Sequence, residues 1–197
     1  MTMVCGIDEA GRGPLAGPVC AAAVILGNNY KSELLNDSKK LSVTRRLELR
    51  QQILQGALFF GIGWASHTEI DSINILQASL LAMKRAFEEM MKSQSFKNLT
   101  ANTEISVIVD GKFIPDLQTN YPLIKCTPMV KADSQIPEVM AASILAKTER
   151  DTHMEEMAKL YPLYGYEKHK GYPTKAHKQA VLKHGPSPIQ RLSFKTD

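Results

Sequence analysis

The sequence predicts an α/β domain in which a mixed five-stranded sheet is flanked by helices on both faces, with a small helical extension at the C-terminal end. Two observations lead there. Three short apolar runs fill the first third of the chain, and beyond them stretches of helical period alternate with further short apolar runs. Strands in succession, followed by alternating helix and strand, suit a mixed sheet covered on both sides.

Met3 to Ile7 is a short apolar strand that runs into Asp8 and Glu9. The Gly/Pro turn GRGPLAGP leads to a second run, VCAAAVIL at 19–26, whose lack of polar alternation marks a buried strand. Lys39 to Gln55 is a helix with Ser42 at its N-cap. Ala57 to Ala65, apolar and aromatic with Gly61 and Gly63, is the third strand. Asp71 or Ser72 opens a long helix in which Ile73, Leu76, Leu80, Met83, Phe87 and Met90 share one face. Methionines on such a stripe belong to a core rather than to a ligand site. Ile105 to Val109 is a fourth strand, stopped by Asp110-Gly111, and Leu123 to Cys126 a fifth. A helix from about Gln135 to Leu160, a Gly/Pro/Tyr loop and a helix from Thr174 to His184 complete the chain.

With 44% hydrophobic and 22% charged residues in 197, the composition is that of a globular chain with a sizeable core, which excludes disordered and fibrous classes. The reading is one domain over 1–197, in which roughly 160–197 form a basic helical extension packed on the core. MTMVCGIDEAGRG has no basic flank leading into an apolar stretch, so a signal peptide is not expected. No apolar run approaches the length needed to cross a bilayer, and a cytoplasmic protein is expected, with no membrane partner. The three cysteines, Cys5, Cys20 and Cys126, are odd in number and sit among apolar residues, which favours buried free thiols over disulfides. Without a CxxC pair or clustered histidines, a zinc site is disfavoured.

The net charge of +4 identifies no partner, but its distribution is informative. From Lys159 onward there are eight Lys or Arg against two acids, with Tyr161, Tyr164, Tyr166 and Tyr172 interleaved. Cations mixed with aromatic rings suit a sugar-phosphate backbone; a solvated basic tail is the competing reading.

The carboxylates carry the chemistry. Asp8 and Asp110 each end an apolar run, and so belong at the carboxyl ends of buried strands, where open α/β sheets bind ligands. Asp133 precedes the last long helix in KADSQIPEV, and from position alone capping is its better reading. Carboxylates gathered at one sheet edge repel one another unless cations sit among them. Oxygen-only donors select hard ions such as Mg²⁺ or Mn²⁺. Two such ions about 4 Å apart suit in-line displacement at a phosphodiester. For any single acid, an ordinary strand-end role is the better reading; the adjacency of Asp8 and Glu9 to a glycine-rich loop weakens it for the set. That loop, Gly11-Arg12-Gly13, is neither a dinucleotide fingerprint nor a Walker loop, because Pro14 removes an amide and no Lys-Ser/Thr pair follows. It can still let backbone approach a sugar-phosphate closely, with Arg12 free to meet a phosphate.

These strings resemble the ribonuclease HII family, the type 2 ribonucleases H. The resemblance lies in GIDEAGRGPLAGPV at 6–19, DSKKLS at 37–42, IDSINILQASLLAMKRA at 70–86, VDG at 109–111, AASILAKTERD at 141–151 and YGYEKHKGYPTKAH at 164–177. It runs in order over nearly the whole chain. TERD at 148–151 and VMAAS at 139–143 depart slightly from the family's strings. The resemblance implies an RNase H-like fold and a site of four carboxylates, Asp8, Glu9, Asp110 and Asp133, binding two Mg²⁺ or Mn²⁺ ions; at Asp133 it displaces the capping reading. It further implies that Gly11, Arg12 and Gly13 sense the 2′-hydroxyl of the junction ribonucleotide and that Tyr172 stacks on the neighbouring deoxyribose. Lys39 and Lys40 become candidate phosphate contacts. The implied activity is endoribonucleolytic: hydrolysis on the 5′ side of ribonucleotides in RNA–DNA hybrids and in duplex DNA with single embedded ribonucleotides, by in-line attack of water, leaving 3′-hydroxyl and 5′-phosphate ends. The implied roles are ribonucleotide removal from DNA and RNA primer processing.

Two other readings compete with this one. One is a nucleic-acid binding module whose carboxylates only stabilise the fold, and the other is a nuclease acting on ordinary DNA. The tail Gln190-Arg191-Leu192-Ser193-Phe194 resembles a peptide that binds a replication sliding clamp; the preferred alternative is that Phe194 packs back on the domain. Nothing in the sequence demands more than a monomer.

Overall fold

The computed structural model describes residues 2–35, 42–98, 103–117 and 123–195. Strands β1 (Thr2–Ala10), β2 (Val19–Leu26) and β3 (Ala57–Ala65) come first, with helix α1 (Val43–Gly56) between the last two. Helices α2 (His67–Met91) and α3 (Gln94–Lys97) lead to β4 (Glu104–Asp110) and β5 (Ile124–Met129). Helix α4 (Pro137–Leu160) precedes the short α5 (Tyr166–His169) and the last helix, α6 (Lys175–His184).

The strands form one sheet in the order β3-β2-β1-β4-β5. β2 pairs antiparallel with both β1 and β3, while β1/β4 and β4/β5 are parallel, so the sheet is mixed as predicted. Pro128 sits in β5, an edge strand, where a missing amide leaves no ladder bond unmade. The uniformly apolar β2 is buried on both faces. Val19, Ala21, Ala23 and Ile25 join a core with α2, and Ala22 and Val24 join a second core with α1 and α4. Helices therefore cover both faces.

Small residues set how close those helices come. A Cβ on Gly63 of β3 would lie 2.2 Å from the Ala82 carbonyl oxygen of α2, and one on Gly6 of β1 would lie 2.2 Å from the Val139 nitrogen of α4. The second contact seats α4 against the strand that carries Asp8 and Glu9.

Ser42 caps α1 by accepting from the Arg45 amide, as expected, and Thr174 caps α6 in the same way. Lys39 and Lys40, in the predicted first turn of α1, lie outside the described residues. Helix α2 departs from expectation. It starts at His67, with Ser66 and Glu69 forming a capping box, and is interrupted at Asn74, where φ is 67°. The Asn74 carboxamide oxygen accepts from the amides of Leu76 (3.0 Å) and Gln77 (3.1 Å), capping the helix afresh. The break sets Ile73 out of phase with the rest of the stripe and leaves it exposed. Beyond it Met83, Phe87 and Met90 face the core as expected, joined by Ala78, Ala82 and Ala86, while Leu76 and Leu80 are half-buried and Leu80 packs against that core.

The last segment packs on the chain's first loop. Tyr164, Tyr166 and Ile189 form a third apolar cluster with Ala16 of the 11–18 loop and Met154 and Ala158 of α4. Main-chain bonds from Leu15 to Gly171, Gly17 to Ile189 and Arg191 to Leu15 (2.8–2.9 Å) tie the loop to it. Two of the interleaved tyrosines are thus core: Tyr164 and Tyr166 stack with centroids 5.7 Å apart, and the Tyr166 hydroxyl bonds to Ser187 (2.6 Å). Cys5 and Cys20 are buried free thiols and Cys126 is a half-buried one. No helix among the described residues is long and apolar enough to cross a membrane.

Candidate active site

The parallel register of β1 and β4 aligns Ile7 with Val109, so Asp8 and Asp110 follow side by side at the carboxyl end of the parallel pairing. β1 itself runs on to Ala10 against β2; Asp8 and Glu9 lie within the strand rather than after it. Gly111 turns the chain with φ at 108°, and the Asp110 Oδ1 accepts from the Ala132 amide (2.8 Å). That bond ties the end of β4 to the 3-10 turn Ala132–Ser134, which carries Asp133. Helix α4 has Ile136 at its N-cap, so Asp133 does not occupy the capping position that its place in the sequence suggested. The four predicted carboxylates line one groove of about 420 Å³, together with Gly11, Arg12, Gly13 and Tyr172.

The electrostatics are those of crowded acids. Asp8 and Asp133 are each only 6% exposed. Burial, then the neighbouring charges of Glu9 and Asp110, raise the Asp8 carboxyl well above its ordinary range, against bonds from the Ser143 side chain and the Glu9 amide (2.7 Å). Burial likewise raises Glu9, although Arg12 opposes it. Arg12 is not free, as the sequence suggested: its Nη1 lies 3.2 Å from the Glu9 Oε1. The other oxygen, Glu9 Oε2, is buried without a hydrogen-bond partner. An orphaned carboxylate oxygen among like charges fits a divalent cation, and the all-oxygen donor set fits a hard one. Among the described residues no group of three acids, histidines or cysteines is arranged to hold an ion by itself. An open carboxylate wall suits Mg²⁺-type ions, which keep several waters and share their remaining positions with substrate phosphates.

The loop and Tyr172 meet across the groove. A Cβ built on Gly13 would stand 3.6 Å from the Tyr172 ring, in ordinary contact, and the ring remains 39% exposed. Its backbone is fixed from behind, where the Tyr172 carbonyl oxygen meets His177 Nδ1 (3.0 Å) and His169 Nδ1 accepts from the Gly171 amide (3.2 Å).

Sequence reasoning missed four groups here. Ser143 and Lys147, on one face of α4, line the groove, as does Arg46 of α1. The Lys147 ammonium bonds to Asp151 (2.8 Å) and stands 5.6 Å from the Tyr172 ring centroid. The four-residue step from Ser143 to Lys147 is a signal that only becomes readable once α4 is known to face the site. The fourth is Arg191, counted in the sequence with the basic tail. It is fully buried, and its guanidinium donates to the carbonyls of Gly11 (2.6 Å) and Arg12 (3.1 Å).

A mixed five-stranded sheet that gathers acids at the ends of its parallel strands, beside a glycine loop, has the architecture of the RNase H-like class. Comparison with known proteins specifies it further. The family model for ribonuclease HII matches residues 5–197. A ribonuclease HII of Treponema denticola is 55% identical over 196 residues, covering 98% of each chain. An Archaeoglobus fulgidus RNase HII, solved in complex with PCNA, superposes with a TM-score of 0.72 at 26% identity, covering 98% of this chain and 95% of that one. Bst-RNase HIII, solved with Mn²⁺, has the same fold: TM-score 0.77 at 16% identity, over 99% of this chain and 68% of the other. The chain belongs to the ribonuclease HII family, and with that membership it is a hydrolytic, divalent-metal-dependent endoribonuclease.

Proposed function

We propose that the protein hydrolyses the phosphodiester on the 5′ side of a ribonucleotide, both within RNA–DNA hybrids and at single ribonucleotides embedded in duplex DNA, and so serves ribonucleotide removal and RNA primer processing. The observation that carries this reading is one groove lined by Asp8, Glu9, Asp110 and Asp133 on one wall and by Gly11, Gly13 and Tyr172 beside it. The four carboxylates would hold two Mg²⁺ or Mn²⁺ ions; when bound, these supply Lewis-acid activation of water and neutralise charge at the scissile phosphate. Asp8 and Glu9 contribute buried negative charge that is stable only in the presence of cations. Asp110, oriented by the Ala132 amide, fixes the spacing between β4 and the turn of Asp133. Gly11 to Gly13 bring main chain within reach of a sugar, where a 2′-hydroxyl distinguishes RNA from DNA. The Tyr172 ring, 39% exposed at the groove, would offer a face to the adjoining deoxyribose and disfavour a second hydroxyl there.

Arg12, Arg46 and Lys147 add cationic character for phosphates of the duplex. A sliding-clamp contact through residues 190–194 is the weaker part of the reading. The Archaeoglobus relative was solved with PCNA, but here the Phe194 ring packs against the core and lies 5.1 Å from the buried Arg191 guanidinium. The products would carry 3′-hydroxyl and 5′-phosphate ends.

The deciding experiment compares a duplex containing one ribonucleotide with its all-DNA counterpart, in Mg²⁺ and in Mn²⁺. Wild-type protein should cut only the first, immediately 5′ of the ribonucleotide. Asp110→Asn should lose about a hundred- to a thousandfold in rate, the loss expected when groups that stabilise transition-state charge are removed, while binding the duplex with near-normal affinity. Wild-type cleavage of the all-DNA duplex, or full activity in Asp110→Asn, would overturn the assignment.

A further inference from the structure

The loop that carries Gly11, Arg12 and Gly13 rests on two buried arginines that do not reach the groove floor. Arg150 Nε donates to the Pro18 carbonyl (2.9 Å), Nη1 to Lys170 (3.0 Å) and Nη2 to Ala16 (3.1 Å). Arg191 Nε donates to Gly17 (2.8 Å), Nη1 to Arg12 (3.1 Å), and Nη2 to both Gly11 (2.6 Å) and Pro18 (3.2 Å). Every acceptor in this set is a main-chain carbonyl. Burial, with the charge of Arg150 nearby, pulls the Arg191 guanidinium down to about 9, so it stays cationic at neutral pH. Placing two cations side by side without a bonded carboxylate is costly. A planar fork of five N–H groups can hold four carbonyls in fixed directions, which the three donors of a lysine ammonium cannot.

Peptide geometry converts this clamp into a statement about the substrate side. In a trans peptide the C=O of one residue and the N–H of the next point to opposite sides. With the carbonyls of Gly11 and Arg12 drawn onto Arg191, the amides of Arg12 and Gly13 point away from it, and the same residues line the groove with Tyr172. Arg191 is itself seated by its neighbours. The Asp71 carboxylate, at the solvent-facing start of α2, accepts from the amides of Leu192 and Ser193 (both 2.9 Å) and from the Ser193 hydroxyl (2.5 Å).

We propose that Arg191 is a positioning residue for ribonucleotide selection, presenting the amides of Arg12 and Gly13 to the 2′-hydroxyl, and that Asp71 latches the C-terminal strap that holds it in place. The proposal rests on the sensing role given to the 11–13 loop, and the test separates the two. Binding of a duplex with one ribonucleotide and of its all-DNA counterpart is measured in the Asp110→Asn background, so that no substrate is consumed; the ratio of the two affinities is the readout. If the parent shows no preference for the ribonucleotide, the sensing role itself fails. If the parent discriminates, Arg191→Lys should lower the ratio about tenfold through weaker ribonucleotide binding, with all-DNA affinity unchanged and the fold intact by circular dichroism; tenfold is the effect of about one hydrogen bond. A folded Arg191→Lys variant with an unchanged ratio, or equal losses on both duplexes, overturns the proposal. Should Arg191→Lys fail to fold, Asp71→Asn, a change at a half-exposed side chain, takes its place. A smaller drop in the same ratio supports the latch, and an unchanged ratio overturns it.

Discussion

Adding one methyl group at Gly11 asks for space that a fixed guanidinium already occupies. The Gly11 φ is +102°, a region that alanine enters only under strain, and the new Cβ would lie 2.1 Å from Arg150 Nε and 2.4 Å from its Cδ. Arg150 cannot yield cheaply, because Nε, Nη1 and Nη2 are each bonded to a different carbonyl. Backbone strain of this kind costs about 1–3 kcal/mol, and breaking the charged bond from Nε to Pro18 about 1.5–3 kcal/mol more. Gly11→Ala should therefore lose about 3–6 kcal/mol, a large share of the roughly 5–15 kcal/mol that holds a domain folded. At about 2–4 °C per kcal/mol for a chain of this size, the midpoint of thermal unfolding should fall by roughly 6–24 °C in scanning calorimetry. A variant melting within about 2 °C of wild type would refute the claim that Arg150 rigidly fills the space behind the loop.

Gly13→Ala supplies the contrast: its Cβ would sit in ordinary contact with the Tyr172 ring, 3.6 Å away, so melting should be unchanged while cleavage at a single ribonucleotide drops at least about tenfold, as expected from a misplaced substrate; unimpaired kcat/KM would remove the loop from the sugar site. Asp8→Asn takes a charge out of a buried cluster, and in metal-free buffer it should melt a few degrees higher than wild type while losing activity, the usual trade at a strained site. Saturating Mg²⁺ or Mn²⁺ should stabilise wild type by about 3–4 kcal/mol at 100–1,000 times the dissociation constant and Asp8→Asn much less, so equal melting shifts in both proteins would count against metal at these carboxylates. Burial lowers both His169 and His177, whose rings stack 4.6 Å apart behind Tyr172. Because the unfolded chain then binds more protons than the native one below about pH 6.5, their contribution to stability is complete above that pH and is lost as pH falls. His177→Asn should flatten the acid side of the melting profile measured from pH 7.5 to 5, and an unchanged slope would contradict the role given to the pair.

Much of the fold was legible because one-dimensional patterns carry it. VCAAAVIL has too few polar atoms to face water on either side, so it had to be a central strand. Asp8 and Asp110 follow apolar runs and do lie at the carboxyl end of the parallel β1/β4 pairing, although β1 continues past Asp8 to Ala10. Where local chemistry competed, the reading slipped. Asp71 has the character of an N-cap, yet Ser66 and Asn74 perform the capping and the Asp71 carboxylate instead binds the C-terminal strap. Tyr164 and Tyr166 sit in a basic, aromatic stretch that suits nucleic acid, but they pack inward against Ala16 and Met154.

By itself the sequence determined the α/β class, the order of its strands and helices, the oxygen-only character of the candidate site and, through long matching strings, the family. Those properties depend on residue type and on spacing of a few positions, which the chain states directly. Spacing left Asp133 as a helix cap and the family resemblance moved it to the site; only the tertiary structure decided that Lys147 reaches Tyr172 and that Arg191 supports the loop from 180 residues away. The reason is physical: whether a charged side chain meets solvent, a phosphate or a buried carbonyl depends on which segments fold over it, and no local pattern encodes the return of the last strap to the first loop.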